Sequence, residues 1–330
     1  MSELQFKKLS LDRVSYSEPW LALVSSQGLQ VTEDLDYTVG VYQENELIAT
    51  GSLTKNVLKM LAISDSYQGG SVFNQLISHL IGHLAEQKIF HYFVFTKPNL
   101  SYAFTSLGFK VLVETKEACL LEKGNHSITT FLAEIPQKLT EGITGALVMN
   151  ANPFTNGHQF LVETASRECD QVFLFIVEAD VSEFSFEERL MLAKAGTAHL
   201  SNVLVLGGDN YMVNFATFPA YFIAESAEIT HYQTQLDAQL FKERIAPALK
   251  INRRYLGSEP LSPKTAIYNQ SLSDVLEPEV QVKIIPRKAT NSGKPISATT
   301  VRALLSQKNW ERLQELVPPT TFSYLKKAYK

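Results

Sequence analysis

Five apolar runs mark the second half of the chain: GALVMN (145–150), QVFLFIV (171–177), NVLVLG (202–207), RRYLGS (253–258) and QVKIIP (281–286). Helix-patterned stretches lie between them, at 157–168, 185–196, about 217–226 and near 235–248. Apolar strands alternating with helices call for a parallel sheet covered on both faces. In such a sheet, ligands sit at the carboxyl ends of the strands. Helix-like segments at 297–306, 309–317 and 320–329 close the chain, broken at Pro318-Pro319.

The first half is patterned differently. YTVGVYQ (37–43) and ELIATGSL (46–53) flank the polar pair Glu44-Asn45 and read as a hairpin. VLKMLAIS (57–64) and HYFVFTK (91–97) read as strands. Between them Val72, Phe73, Leu76, Ile77, Leu80, Ile81 and Leu84 recur at the spacing of one buried helix face, from Ser71 to about Gln87. SYAFTSLGFKVLVE (101–114) reads as a short helix, a Gly break and a strand. Residues 115–143 are less regular, with a turn at 122–127 and mixed Pro, Gly and polar residues from 136 on. The domain boundary is therefore expected there, giving domains 1–138 and 139–330.

With 330 residues and 45% hydrophobic content, two domains with ordinary cores are expected. The net charge of −4 argues against a nucleic-acid partner, which needs a basic surface. Cys119 and Cys169, the two cysteines, are expected to be reduced and buried. MSELQFKKLSLDRVSYSEPW has neither the apolar core nor the cleavage site of a secretory signal, and no apolar run approaches the roughly 18 residues of a membrane span. A cytoplasmic chain with no membrane association is the expectation.

The junction MNANPFTNGHQFL (149–161) concentrates the chemistry. Pro153 and Asn156-Gly157 shape a turn after the first strand of the second half, and a helix starts at Gly157 or His158. Free N–H groups and the positive dipole end of that helix favour a phosphate. His158 can donate to a phosphate oxygen, Thr155 adds a hydroxyl, and Gly157 lets a ligand approach the backbone. Taken alone, a histidine at a helix start reads as a satisfied surface residue. PFTNGH, however, resembles the T/H-x-G-H signature of the nucleotidyltransferase superfamily, which implies a Rossmann-like parallel sheet and a bound nucleotide triphosphate.

ISATTVRALL (296–305) forms the second cluster. Ser297 is a good N-cap, and the helix after it buries Val301, Leu304 and Leu305. The hydroxyls of Ser297 and Thr299 gather there with Arg302, whose guanidinium can fork onto phosphate oxygens. This stretch is similar to the I-S-x-T-x-x-R signature of the same superfamily and follows the last strand, about 140 residues after the first motif. Transfer at an α-phosphorus pushes negative charge onto departing pyrophosphate, so the protein positions and neutralises. Neither H-E-x-x-H nor paired C-x-x-C is present, so no protein-bound metal is expected and Mg²⁺ is held through the ATP phosphates.

GSE (257–259) follows a strand, so Gly257 and Glu259 contact ribose or adenine or form a plain turn. Arg189 reads as an ion pair on a solvated helix face, and Arg253 and Arg254 likewise. SDSYQGGSVFNQLISHLI (64–81) resembles the coenzyme A loop of GNAT acetyltransferases, with Gln68, Gly69 and Gly70 matching and Ser71 and Phe73 replacing the two signature glycines. A domain that holds a coenzyme-A-like arm and one that keeps only the shape both stay open. His79 and His83, one helical turn apart without a third ligand, read as a helix flank.

The pairing of a GNAT-like α+β half with a nucleotidyltransferase half is carried further by VMNANPFTNGH, ATFPAYFI (216–223), GSEP (257–260) and PISATTVR (295–302). Together they resemble the citrate lyase ligase family over nearly the whole chain. The resemblance implies an AMP-forming acid-thiol ligase that uses ATP and Mg²⁺. Its partners would be acetate and the citrate lyase acyl carrier protein, whose dephospho-coenzyme-A-type prosthetic thiol is acetylated through acetyl-adenylate. It assigns His158 and Arg302 to catalysis, and Asn150, Asn152, Pro153, Thr155, Gly157, Gly257, Glu259, Ser297 and Thr299, with those two, to ATP. An adenylyl- or cytidylyltransferase acting on a small phosphorylated metabolite shares both motifs, and a non-enzymatic nucleotide-binding regulator is a further alternative.

Overall fold

The computed structural model describes the chain except residues 1–2, 32–33, 138–141, 179–181, 213–225, 259–262, 291–292 and 330; for 226–231 and 263–266 the backbone alone is described. The chain divides into two compact units, one of Met1–Glu134 with Pro219–Leu236 and the other of Ile135–Phe218 with Asp237–Lys330. The expected boundary at 138/139 and the expected helix at 217–226 fall outside the described residues.

The first unit is a seven-stranded sheet of β1 (Gln5–Lys8), β2 (Tyr37–Gln43), β3 (Glu46–Thr54), β4 (Val57–Ile63), β5 (His91–Thr96), β6 (Lys110–Glu114) and β7 (Cys119–Gly124), in the order β1-β2-β3-β4-β5-β7-β6. Glu44 and Asn45 both take positive φ, the conformation a tight two-residue hairpin requires. Helix α1 (Val14–Ser26) packs Trp20, Leu23 and Val24 with Met60 and Ala62, while α2 (Ser71–Glu86) packs Val72, Leu76, Ile77, Leu80 and Leu84 on the side of Leu61 and Ile63. Alternation along β4 thus sends neighbouring side chains into two cores. All neighbouring strands run antiparallel except β4 and β5, which run parallel and pair only at Val57 with Phe93 and Leu58 with Val94. They part toward their carboxyl ends. Helices α3 (Ser101–Thr105) and α4 (Ile128–Glu134) follow β5 and β7 in the chain. The expected turn at 122–127 is corrected: β7 runs to Gly124, and the polar Glu122 inside it is buried, accepting from His91 Nε2 (3.0 Å) and from the Ile128 N–H (3.2 Å).

The second unit is an all-parallel sheet of β8 (Thr144–Met149), β9 (Gln171–Ile176), β10 (Val203–Gly207), β11 (Arg253–Gly257) and β12 (Gln281–Ile285), ordered β10-β9-β8-β11-β12. Each run predicted as a strand is one. Helices α5 (Asn156–Glu168) and α6 (Phe186–Thr197) follow β8 and β9. From Asp237 the second unit takes in the last turn of α7 (Ser226–Leu240), a π turn at Phe241–Ile245 and the short α8 (Ala246–Ala248), and α9 (Pro263–Leu276) joins β11 to β12. Both faces of the sheet are covered. Tyr255 bonds to Glu168 at the end of α5, while the adjacent Arg254 lies over the Phe241 ring, 4.4 Å from its centroid. Helices α10 (Ala298–Ser306), α11 (Trp310–Leu316) and α12 (Pro319–Ala328) close the chain around Val301, Leu304, Leu305, Leu313, Leu316 and Leu325.

The order reverses at β8, from which β9 and β10 build one way and β11 and β12 the other. Strands β8 and β11 pair only at Gly145 with Arg253 and Ala146 with Arg254, so they separate toward their carboxyl ends. A crevice at that switch point is where such sheets bind ligands.

Candidate functional site

The loop that leaves β8 at this crevice is fixed by a buried arginine. Arg189 on α6 has no solvent exposure. Its Nη1 donates to the Asn150 carbonyl (2.8 Å), the Asn150 Oδ1 (2.7 Å) and the Val177 carbonyl (2.6 Å), and its Nε donates to the Phe184 carbonyl (3.1 Å). The solvated ion pair expected at Arg189 is therefore corrected. This guanidinium sews the segment after β8 to the segment after β9. Asn152, preceding a cis Pro153, accepts at Oδ1 from the Phe184 N–H (3.1 Å). Phe154 is fully buried, and a Cβ on Gly196 would come within 2.5 Å of its ring.

Thr155 then caps α5. Its Oγ1 accepts from the His158 N–H (3.3 Å), and its own N–H donates to His158 Nδ1 (3.0 Å). This is a capping box with histidine in the place usually held by Glu or Gln. It decides the tautomer: Nδ1 is the acceptor, so the hydrogen of the neutral ring sits on Nε2. Burial, joined by the charge of Arg287, lowers the His158 pKa to about 4. The imidazole at the head of α5 is thus a neutral donor.

The second helix start lies against the first. A Cβ on Gly157 would sit 3.5 Å from the Ile296 carbonyl, immediately before the Ser297 cap of α10. Ser297 Oγ accepts from the Thr300 N–H (3.1 Å). From the first turns of α10, Arg302 sends Nη1 to the Asn152 carbonyl (2.6 Å) and Nη2 to Thr299 Oγ1 (3.3 Å), with Glu183 Oε2 at 3.5 Å from Nε. The two motifs are thereby joined at the loop after β8.

Two comparisons bear on this arrangement. The family described as "Citrate lyase ligase C-terminal domain" matches residues 144–325. The [Citrate [pro-3S]-lyase] ligase of Klebsiella pneumoniae is 37% identical over 304 residues, covering 90% of this chain and 89% of that protein. The chain belongs to the citrate lyase ligase family. The Haemophilus influenzae [Citrate [pro-3S]-lyase] ligase is 36% identical over 333 residues, 97% of this chain and 99% of that one. As a citrate lyase ligase family member, the protein is an enzyme of the ligase class. Among solved structures, a GNAT-family acetyltransferase from Staphylococcus aureus Mu50 covers 38% of this chain and 100% of its own at 12% identity and a TM-score of 0.32. Escherichia coli ElaA covers 37% and 99% at 18% identity and a TM-score of 0.32.

In this citrate lyase ligase family member the structure gathers Asn150, Asn152, Pro153, Thr155, Gly157, His158, Ser297, Thr299 and Arg302 around the turn after β8 and the head of α10. Gly257 ends β11, where its carbonyl accepts from Asn269 Nδ2 (3.1 Å) and a Cβ would meet nothing within 4 Å. Glu259 lies outside the described residues. Arg254 is buried over the Phe241 ring, correcting its solvated reading, whereas Arg253 is half-buried and bonds to the Glu168 carbonyl (3.2 Å). Sequence reasoning missed Arg287, whose charge joins burial in lowering the His158 pKa, because only folding brings the chain after β12 beside α5.

In the first unit, the exposed Gln68 donates from Nε2 to Gln27 Oε1 (3.1 Å), Asp65 Oδ1 (3.0 Å) and the Ile63 carbonyl (3.2 Å). Gly69 takes φ +75°, which favours glycine, and Gly70 precedes α2. His79 and His83 form part of an aromatic stack with Phe6 and Tyr37, with Tyr37 Oη 3.0 Å from His79 Nε2. Cys119 and Cys169 are buried and unlinked, as expected.

Proposed function

We propose that this enzyme acetylates the prosthetic-group thiol of the citrate lyase acyl carrier protein, using ATP and acetate and releasing AMP and diphosphate. The observation that carries the reading is the neutral, Nε2-protonated His158 at the head of α5, set against the start of α10 at the switch point of a parallel sheet. An acetate oxygen attacks the α-phosphorus of ATP, the bond to pyrophosphate breaks, and acetyl-adenylate forms. The thiol sulfur then attacks the acetyl carbonyl, losing its proton as AMP departs.

The donor set suits a triphosphate. His158 donates through Nε2, the first turn of α5 presents backbone N–H groups, and Arg302 brings positive charge. Asn150 and Asn152 brace the loop on which those donors depend, and Gly257 stands at the strand edge where a nucleoside would lie. Mg²⁺ would be carried on the phosphates, where it neutralises charge. The proposed functional division is 1–138 and 139–330, with Gln68, Gly69 and Gly70 facing the coenzyme-A-like arm. No helix among the described residues is long and apolar enough to cross a membrane, and a cytoplasmic setting fits the carrier-protein substrate.

The test is a coupled assay with ATP, Mg²⁺, a panel of carboxylic acids and deacetylated citrate lyase. AMP release that requires both acetate and the carrier thiol is expected. A product that retains the nucleotide would favour nucleotidyl transfer to a phosphorylated metabolite, and ATP binding without turnover would favour a regulator.

A further inference from the structure

The chain between β12 and α10 folds back on itself beside α5. Thr290 N–H donates to the Lys294 carbonyl (2.8 Å), Ala289 and Pro295 form an antiparallel bridge, and Ile296 N–H donates to the Lys288 carbonyl (3.0 Å). The stem of this hairpin is anchored twice. Arg287 N–H donates to Oγ of Ser258 (3.2 Å), the first residue past β11. At the other side, the Ile296 carbonyl lies 3.5 Å from where a Gly157 Cβ would stand, and Lys288 Nζ is 5.8 Å from the centre of the Phe160 ring on α5. Residue 287 is therefore held between the carboxyl end of β11 and the first turn of α5.

A cation in that place has a purpose in the chemistry. His158 contributes a hydrogen bond and no charge, because its Nδ1 is committed to the Thr155 N–H. Arg302 is a full cation, but Glu183 stands 3.5 Å from its Nε and offsets part of that charge. Departing pyrophosphate gains negative charge as the bond breaks, and a partly desolvated guanidinium is the group that meets it most strongly. Arg287 is half-buried on the stem of the hairpin that packs against the first turn of α5.

We propose that Arg287 is a phosphate-binding residue of the nucleotide site, contacting the end of ATP that leaves as pyrophosphate. The proposal rests on the nucleotide reading given above and assigns a third protein group, from the hairpin after β12, to that reaction.

Inorganic pyrophosphate and AMP separate the two ends of the nucleotide, so both are titrated by calorimetry into the full-length protein and into Arg287→Gln and Arg287→Lys. Loss of a charge-assisted contact is expected to weaken pyrophosphate by about tenfold or more in Arg287→Gln, with AMP unchanged. Arg287→Lys is expected to lose less and to fold in any case, so it decides the matter should the glutamine variant not fold. Pyrophosphate affinity equal to the parent in both variants would overturn the assignment, as would equal loss for pyrophosphate and AMP. A parent protein that binds neither compound would instead bring down the nucleotide reading itself.

Discussion

Arg302 Nη1 donates to the carbonyl of Asn152 at 2.6 Å, across 150 positions of sequence. One bond thus links the loop that leaves the first strand of the parallel sheet to the helix that follows the last. Asn152 in turn accepts at Oδ1 from the Phe184 N–H, in the segment after β9. Three loops at the carboxyl edge are fixed to one another before any ligand is considered, which is the preorganisation that charge stabilisation needs.

The capping box around His158 yields a pH prediction. Folding lowers its pKa from an ordinary 6.5 to about 4, through burial and then the charge of Arg287. The unfolded chain takes up the proton first as the pH falls. Its stabilising contribution is therefore whole above about 6.5 and is lost between there and about 4. The His158 ring resonances, followed by NMR, should titrate near the lower value and stay flat between pH 6 and 8. A midpoint at 6.5 or above would contradict a ring that burial and Arg287 hold neutral.

Arg189 is predicted to be structural. Arg189→Leu removes a buried cation and strands acceptors at Asn150, Val177 and Phe184. The expected cost is about 3–5 kcal/mol, read as a drop in denaturant midpoint. A change below about 1 kcal/mol would show that the loops hold without it.

Gly157→Ala separates fold from function. The added methyl would meet the Ile296 carbonyl and Thr155 Oγ1 at 3.5 Å each, ordinary contacts, so the backbone has no steric need of glycine. Stability should hold or rise by about 0.5 kcal/mol, since alanine is the better helix former. Turnover should fall, because the methyl stands at the helix head where a phosphate would approach. Unchanged kinetics would place the ligand elsewhere.

The cysteines should be inert in the folded protein. Burial, first among the causes, pushes Cys119 up to about 12 and raises Cys169 as well. A thiol reagent at neutral pH should react with neither until the chain is unfolded. Rapid labelling of either would show that its cover opens.

Much of the fold was legible because its strands are apolar on both faces and sit between clear turns. Helix α9 was missed: PKTAIYNQSLSDVL shows no clean apolar stripe. Strand β7 was partly hidden because Glu122 looks like a turn residue until its partners His91 and Ile128 are seen. The two helix starts of the candidate site, with His158 on one and Arg302 on the other, could be read from motif spacing and capping residues. The role of Arg189 could not, since its acceptors are mostly main-chain carbonyls, which leave no trace in a sequence, and FEERLMLA carries enough charge to pass for a wet face. Arg287 lies far along the chain from His158, and only the hairpin before α10 brings it near.

The most direct test of the central claim, that the heads of α5 and α10 serve one triphosphate, is acetate-dependent exchange of labelled pyrophosphate into ATP with Mg²⁺ present. The account predicts exchange by the parent enzyme and a loss of about 10²–10³-fold in His158→Ala and in Arg302→Ala alike. Absence of exchange in the parent with the carrier protein supplied, or parental rates in both variants, would contradict it.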